Sequence, residues 1–292
     1  MSPLLAHIVA LGAALIGLLV ARQVLARRRG LFRKPSGDHV VVVRESHGAR
    51  ELVLQKTVEV AQTRQWCADP MRSRTAYTDG FHLCTLFAPS FERVLFLGGG
   101  GAIGPRQFAA LHPQARIDVV ERDPVVVEAA RRFFGFAQSP RLTLHQADAR
   151  AFISSQPAGE VHIVVVDLCD AFGVPREVTT APFFQAVARS LAPAGVMCMN
   201  LLGTDAADGL VMTAFATIQR QFGSDHCHLF AIPNRPEEVP IAEGWRNWLV
   251  FATGGENRVA VEEVVRSSTR LDNAMTPLVS AAARGHIAAP VS

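Results

Sequence analysis

The chain predicts an α/β protein: a mostly parallel sheet covered by helices on both faces, preceded by a small β-rich module and an apolar N-terminal helix. From Glu92 onward, short apolar runs alternate with helical segments. The runs are apolar along their whole length, which marks strands buried on both faces. The first of them, RVLFL, stops at four consecutive glycines, Gly98–Gly101, and a helical pattern follows. At 292 residues, 49% hydrophobic and 19% charged, the chain can bury one large core and a small extra module.

Leu4–Ala21 (LLAHIVALGAALIGLLVA) is apolar apart from His7 and long enough to cross a bilayer as a helix. Nothing basic precedes it, and RQVLARRRGLFRK follows. It therefore reads as a single-pass anchor in the inner or plasma membrane rather than a cleaved signal, with the rest of the chain on the cytoplasmic side. Residues 1–34 hold six of the 29 basic residues and no acid, which leaves 23 basic against 26 acidic residues elsewhere. That balance excludes a basic nucleic-acid-binding body. The five cysteines are odd in number and widely spaced, so neither a disulfide framework nor a zinc site is indicated.

Residues 1–34 are thus expected to be an anchor with a basic flank, and Pro35–Asp38 a linker. Residues 35–91 form a small β-domain with a connecting helix: HVVVVRES and ELVLQKTVEV pair as a hairpin around HGAR, and a loop and helix follow. Residues 92–255 hold the alternation. The strands are RVLFL, ARIDVVE, RLTLHQ, VHIVVVD and GVMCMNLL, and the helices are PRQFAALH, PVVVEAARRFF, ARAFISS, APFFQAVARSL and ADGLVMTAFATIQRQF. HCHLFAI and NWLVFAT supply two last strands. Residues 256–292 read as a helix and a loose tail.

In such sheets ligands sit at the carboxyl ends of the strands. There Gly98–Gly101 supply bare backbone, Gly99, Gly101 and Gly104 satisfy G-x-G-x-x-G, and the following helix adds unpaired N–H groups. Glu121 ends the next strand, 23 residues after Gly98, where an acid accepts from ribose hydroxyls. Asp148 follows the third strand, placed to accept from an adenine amino group, and Asp167 ends the fourth, facing the reacting end of a ligand. A nucleoside ligand is expected, and acids at successive strand ends suit an adenosyl-sulfonium better than a dinucleotide pyrophosphate. Trp245 and Trp248 around Asn247 read as packing. His226 and His228 alternate on a strand without partner acids for a metal. The charges of EAARRFF read as a solvated helix face.

From about His39 to Thr253 the chain resembles the spermidine synthase (polyamine aminopropyltransferase) family, in a distant branch of the methyltransferase fold. The resemblance is carried by VLFLGGGGAIG, VVERDPVVVEAARRFF, LTLHQADARAFI and VVVDLCDAFGVPREVTTAPFFQAVARSLAPAGVMCMNLL. It implies a Rossmann-like sheet of seven strands with the last antiparallel, a small N-terminal β-domain, and a homodimer. It assigns Gly98, Gly99 and Gly100 to the cofactor loop, Glu121 to the ribose and Asp148 to the adenine. It makes Asp167 the base that deprotonates an attacking amine, Asp170 its neighbour in the amine site, and Tyr77 and Asp79 substrate-binding residues, with Asp79 standing where the family has Glu. Gly101 departs from the family, whose Asp at that position contacts the aminopropyl arm and disfavours ordinary S-adenosylmethionine.

The expected function is aminopropyl transfer from decarboxylated S-adenosylmethionine to a small amine, without a metal. Two rivals stay open: a small-molecule methyltransferase using S-adenosylmethionine, which Gly101 favours, and a non-catalytic, membrane-tethered nucleoside-binding protein.

Overall fold

A computed structural model describes residues 29–170, 173–204, 209–232 and 245–254. The segment Leu4–Ala21 and the C-terminal tail lie outside the described residues. Among the described residues, no helix is long and apolar enough to cross a membrane.

The N-terminal module is a four-stranded antiparallel meander in sequential order: β1 (Arg29–Ser36), β2 (His39–Ser46), β3 (Ala49–Gln55) and β4 (Glu59–Trp66). Two expectations are corrected here. The residues read as basic flank and linker form β1, paired along β2 from Arg29↔Glu45 to Ser36↔His39. The single run ELVLQKTVEV is two strands, because the chain turns at Lys56–Val58, where Lys56 N–H donates to Val58 O at 3.0 Å. The β2–β3 turn uses His47 and Gly48, both at positive φ (50° and 74°), a backbone that matches the twist of the strands it joins.

The second sheet has seven strands in the order β10-β11-β9-β8-β5-β6-β7. These are β5 (Arg93–Leu97), β6 (Arg116–Glu121), β7 (Leu142–Gln146), β8 (Val161–Val166), β9 (Leu191–Gly203), β10 (Cys227–Ile232) and β11 (Arg246–Thr253). Strands β5 to β9 run parallel, and β11 lies antiparallel to both of its neighbours. The last strand is therefore antiparallel, as expected. Residues of β5 alternate between the two faces. Val94 and Phe96 join a core with Phe81, Phe87 and Phe108, while Leu95 and Leu97 join one with Phe184, Met197 and Ile218. Two-sided burial explains why the strands read as unbroken apolar runs.

Val41, Val43, Leu52 and Leu54 of the small sheet pack on Val125, Val126 and Ala129 of the helix Pro124–Phe133. The charged face of that helix stays largely solvent-exposed, with Arg131 and Arg132 open to solvent. Lys34 of β1 pairs with Glu128 at 2.8 Å, and the Arg132 guanidinium lies over the Phe32 and Phe133 rings. This docking brings β4 against the glycine loop. From β5 the chain builds outward through β6 and β7 and then crosses back to β8. The strand order thus reverses between β5 and β8, where a crevice opens.

Candidate active site

At that reversal a cavity of about 330 Å³ is lined by the glycine loop, Glu121, Asp148, Asp167, Tyr77 and Asn200, among others. Gly98 follows β5 and lies against the backbone of Asp167, which follows β8. Its φ is +101°, and a Cβ there would lie 2.1 Å from the Asp167 carbonyl oxygen, so only glycine fits. The N–H groups of Gly99 and Gly100 both donate to Glu121 Oε2 at 3.2 Å, and Glu121 Oε1 accepts from Asp123 N–H at 3.0 Å. The carboxylate thereby ties the loop to the end of β6 while still lining the cavity. The helix Ile103–Leu111 starts from Ala102, held at φ 56° with no side-chain cap, so its first amides are open to a ligand. Asp148 caps the helix Ala149–Ser155, accepting from Ala151 N–H at 3.0 Å.

Asp167 is the most perturbed acid of the site. Burial pushes its pKa up to about 6, opposed by hydrogen bonds from Asn200 and Tyr77. Asn200 Nδ2 donates to Asp167 Oδ1 at 2.9 Å, and Asn247 Nδ2 donates to Asn200 Oδ1 at 3.0 Å. The Tyr77 ring is held edge-on to Phe81 at 5.5 Å between centroids. A half-buried carboxylate that accepts two neutral hydrogen bonds is a proton acceptor near neutral pH. Beside it Cys169 stays a thiol, its pKa pushed to about 12 by burial and by Asp167 and Asp170.

Three expected site residues stand elsewhere. Asp79 does not line the cavity: it is 1% exposed and accepts from Gln107 Nε2 at 3.2 Å. Gln107 Oε1 in turn lies 3.3 Å from Nε2 of His82, whose pKa burial lowers to about 4. The side chain faces inward because the helix Ala76–Gly80 turns Tyr77, not Asp79, to the cavity. Asp170 lines a smaller pocket of about 160 Å³ with Asp38, His39, Lys56 and Asp123, since the chain turns back at the Asp170–Gly173 bridge. Gly101 also faces away. Its N–H donates to Thr63 Oγ1 at 2.7 Å, and a Cβ would come within 2.7 Å of Thr63 Cγ2 and 3.0 Å of the Phe134 ring.

Thr63, Asn200, Asn247 and Trp245 were not expected in the site. Thr63 buttresses the loop from β4, and the other three line the cavity. The signal for the asparagines was present. Asn200 interrupts the apolar run GVMCMNLL, Asn247 stands at the head of the run WLVFAT, and an amide removed from water requires a partner. Among the described residues no cluster of three or more His, Cys, Asp or Glu side chains is placed to hold a metal ion.

The fold and this cavity define a Rossmann-like α/β protein with a glycine loop and a perturbed carboxylate at neighbouring strand ends. The family model for the spermine/spermidine synthase domain matches residues 78–241. The chain belongs to that family. It is 32% identical over 171 residues to spermidine synthase 2 of Hyoscyamus niger, covering 56% of this chain and 52% of that protein. It is 39% identical over 123 residues to putrescine N-methyltransferase 1 of Nicotiana tabacum, covering 40% and 32% respectively. A probable spermidine synthase of Corynebacterium glutamicum superposes with TM-score 0.66 at 20% identity, over 84% of this chain and 88% of that one. The chain spans about half the length of the curated relatives it matches.

Proposed function

We propose that the protein transfers an aminopropyl group from decarboxylated S-adenosylmethionine to a small amine, as in polyamine biosynthesis. The observation that carries this reading is Asp167, half-buried at the end of β8 beside the glycine loop with its pKa pushed to about 6. An alkylammonium titrates near ~10.4 when unperturbed, so the acceptor must lose a proton before it can attack. The Asp167 carboxylate holds the acceptor nitrogen and takes that proton. The freed nitrogen lone pair forms a bond to the methylene carbon beside the sulfonium. The carbon–sulfur bond breaks, and its electron pair leaves on sulfur as a neutral thioether. Glu121 and the loop amides of Gly98, Gly99 and Gly100 hold the ribose end and Asp148 the adenine. Tyr77 fixes the carboxylate. Much of the rate then comes from alignment in a partly dry cavity.

The test is turnover with putrescine and either donor, in the protein and in Asp167→Asn. Formation of an aminopropylated amine, lost by at least a hundredfold in the variant, is the expected result. No product from either donor sinks the reading. A second reading, methyl transfer from S-adenosylmethionine, is favoured by Gly101, which supplies no acid to repel the donor carboxylate. Likeness to a putrescine N-methyltransferase supports it as well. A methylated amine in the same assay would select it. The proposal includes a membrane anchor at Leu4–Ala21, supported by its apolar length and the basic residues after it.

A further inference from the structure

Three strands meet behind Asp167, and their polar groups form one directed chain. Asn247 is the second residue of β11 and lies opposite Leu202 of β9, two residues beyond Asn200. Its Nδ2 donates to Asn200 Oδ1 at 3.0 Å, and Asn200 Nδ2 donates to Asp167 Oδ1 at 2.9 Å. The direction of the chain is forced by chemistry. An ionised carboxylate only accepts, so Asn200 must turn its NH2 toward Asp167. Its carbonyl must then accept, and the NH2 of Asn247 satisfies it. Without Asn247, Asn200 still turns its NH2 toward the carboxylate, but its carbonyl loses the partner that fixes the amide in place.

We propose that Asn247 and Asn200 are positioning residues: a two-amide relay that holds the Asp167 carboxylate in one orientation toward the acceptor nitrogen. This rests on the reading of Asp167 as the base. It gives the antiparallel β11 a task in the site, since its register sets Asn247 beside Asn200. The relay opposes burial. Desolvation is the largest influence on Asp167 and raises its pKa, while the bonds from Asn200 and Tyr77 lower it. The groups around it come from several elements. Tyr77 comes from the helix Ala76–Gly80, Cys198 from β9 and Cys169 from its own loop, while Asp170 opens to the second pocket. Arg246 and Glu177 line the cavity farther along.

The test uses the full chain with Asn200→Leu, Asn247→Leu and Asn200→Gln. The first readout needs no turnover: the titration midpoint of the Asp167 carboxyl carbon by 13C NMR, assigned by its loss in Asp167→Asn. The midpoint is expected to rise by about one pH unit in Asn200→Leu and by about half a unit in Asn247→Leu. Asn200→Gln restores part of the shift. The second readout is the pH profile of kcat/KM with putrescine and decarboxylated S-adenosylmethionine. Its acid limb is expected to move with the midpoint, with kcat about tenfold lower and the donor KM nearly unchanged. A midpoint unmoved in both leucine variants overturns the proposal. A midpoint that moves in Asn200→Leu but not in Asn247→Leu also overturns it, leaving a single bond. Should the wild type show no transfer, the functional reading fails, and the carboxyl titration still decides the relay. If Asn200→Leu does not fold, an unmoved midpoint in Asn247→Leu is alone sufficient to overturn it.

Discussion

Asp167 links stability to chemistry through one proton. Its folded pKa, about 6, lies above its ordinary value of 3.8. For an acid raised in this way, the contribution to stability is fully present below pH 3.8 and is lost as pH rises through about 6. The loss is on the order of 3 kcal/mol. Asp167→Asn removes the charged form, so urea unfolding should show it more stable than the wild type at pH 8 by about 1–3 kcal/mol, with little difference near pH 4. Activity runs the opposite way. The base works only when ionised, so kcat/KM should rise with pH through about 6 and level off above 7. A flat profile across pH 5–7 would remove Asp167 as the base. A destabilised, partly dry carboxylate at a strand end is the kind of local cost that functional sites carry.

The glycine loop shows how elements share a task. β5 supplies the loop, β6 ties it through Glu121, and β4 props it from the other sheet through Thr63. Thr63 pairs in register with Leu52, which is fully buried against the helix Pro124–Phe133. Leu52→Ala should therefore cost about 2–4 kcal/mol in urea unfolding. It should also weaken donor binding measured by calorimetry, because the prop beneath Gly101 moves with the strand. Equal affinity in the variant would show that the loop stands without β4. Gly98→Ala meets two obstacles, the positive φ and the Asp167 carbonyl. It should fold poorly or lose donor affinity by at least tenfold, whereas alanine at Gly209, where no atom lies within 4 Å, should do neither.

For the whole molecule, the small sheet is a wall of the cavity rather than an appendage. It is clamped on the helix Pro124–Phe133 by apolar packing and at its rim by charge: Asp123 accepts from Ser36 Oγ at 2.7 Å and pairs with His39 Nε2 at 2.9 Å. Because β1 belongs to this sheet, chain preceding Arg29 leaves from the strand that packs beside Glu128. The anchoring proposal is tested at this scale. The full chain should sediment with membranes and resist carbonate extraction, while a form lacking residues 1–28 should be released. Release of both would sink the anchor.

The sequence by itself determined the α/β class, the alternation of strands and helices and the strand-end positions of the glycines, Glu121, Asp148 and Asp167. These are local facts: two-sided burial writes unbroken apolar runs, and a strand end is marked by the residue that stops the run. The turn inside ELVLQKTVEV was not legible because Gln55–Val58 holds no glycine, proline or asparagine. β1 read as a charged flank because its partner lies in another strand. Tertiary structure alone decided which acids share a cavity. Asp167 enters it, while Asp79 turns to Gln107 and Asp170 to a second pocket. It also decided that Thr63 would occupy the space beside Gly101 and that Asn247 would reach Asn200. Those partners stand 38 and 47 residues apart in the chain. A side chain's direction at such range is set by how two sheets and three strands pack, and no short stretch of sequence carries that information.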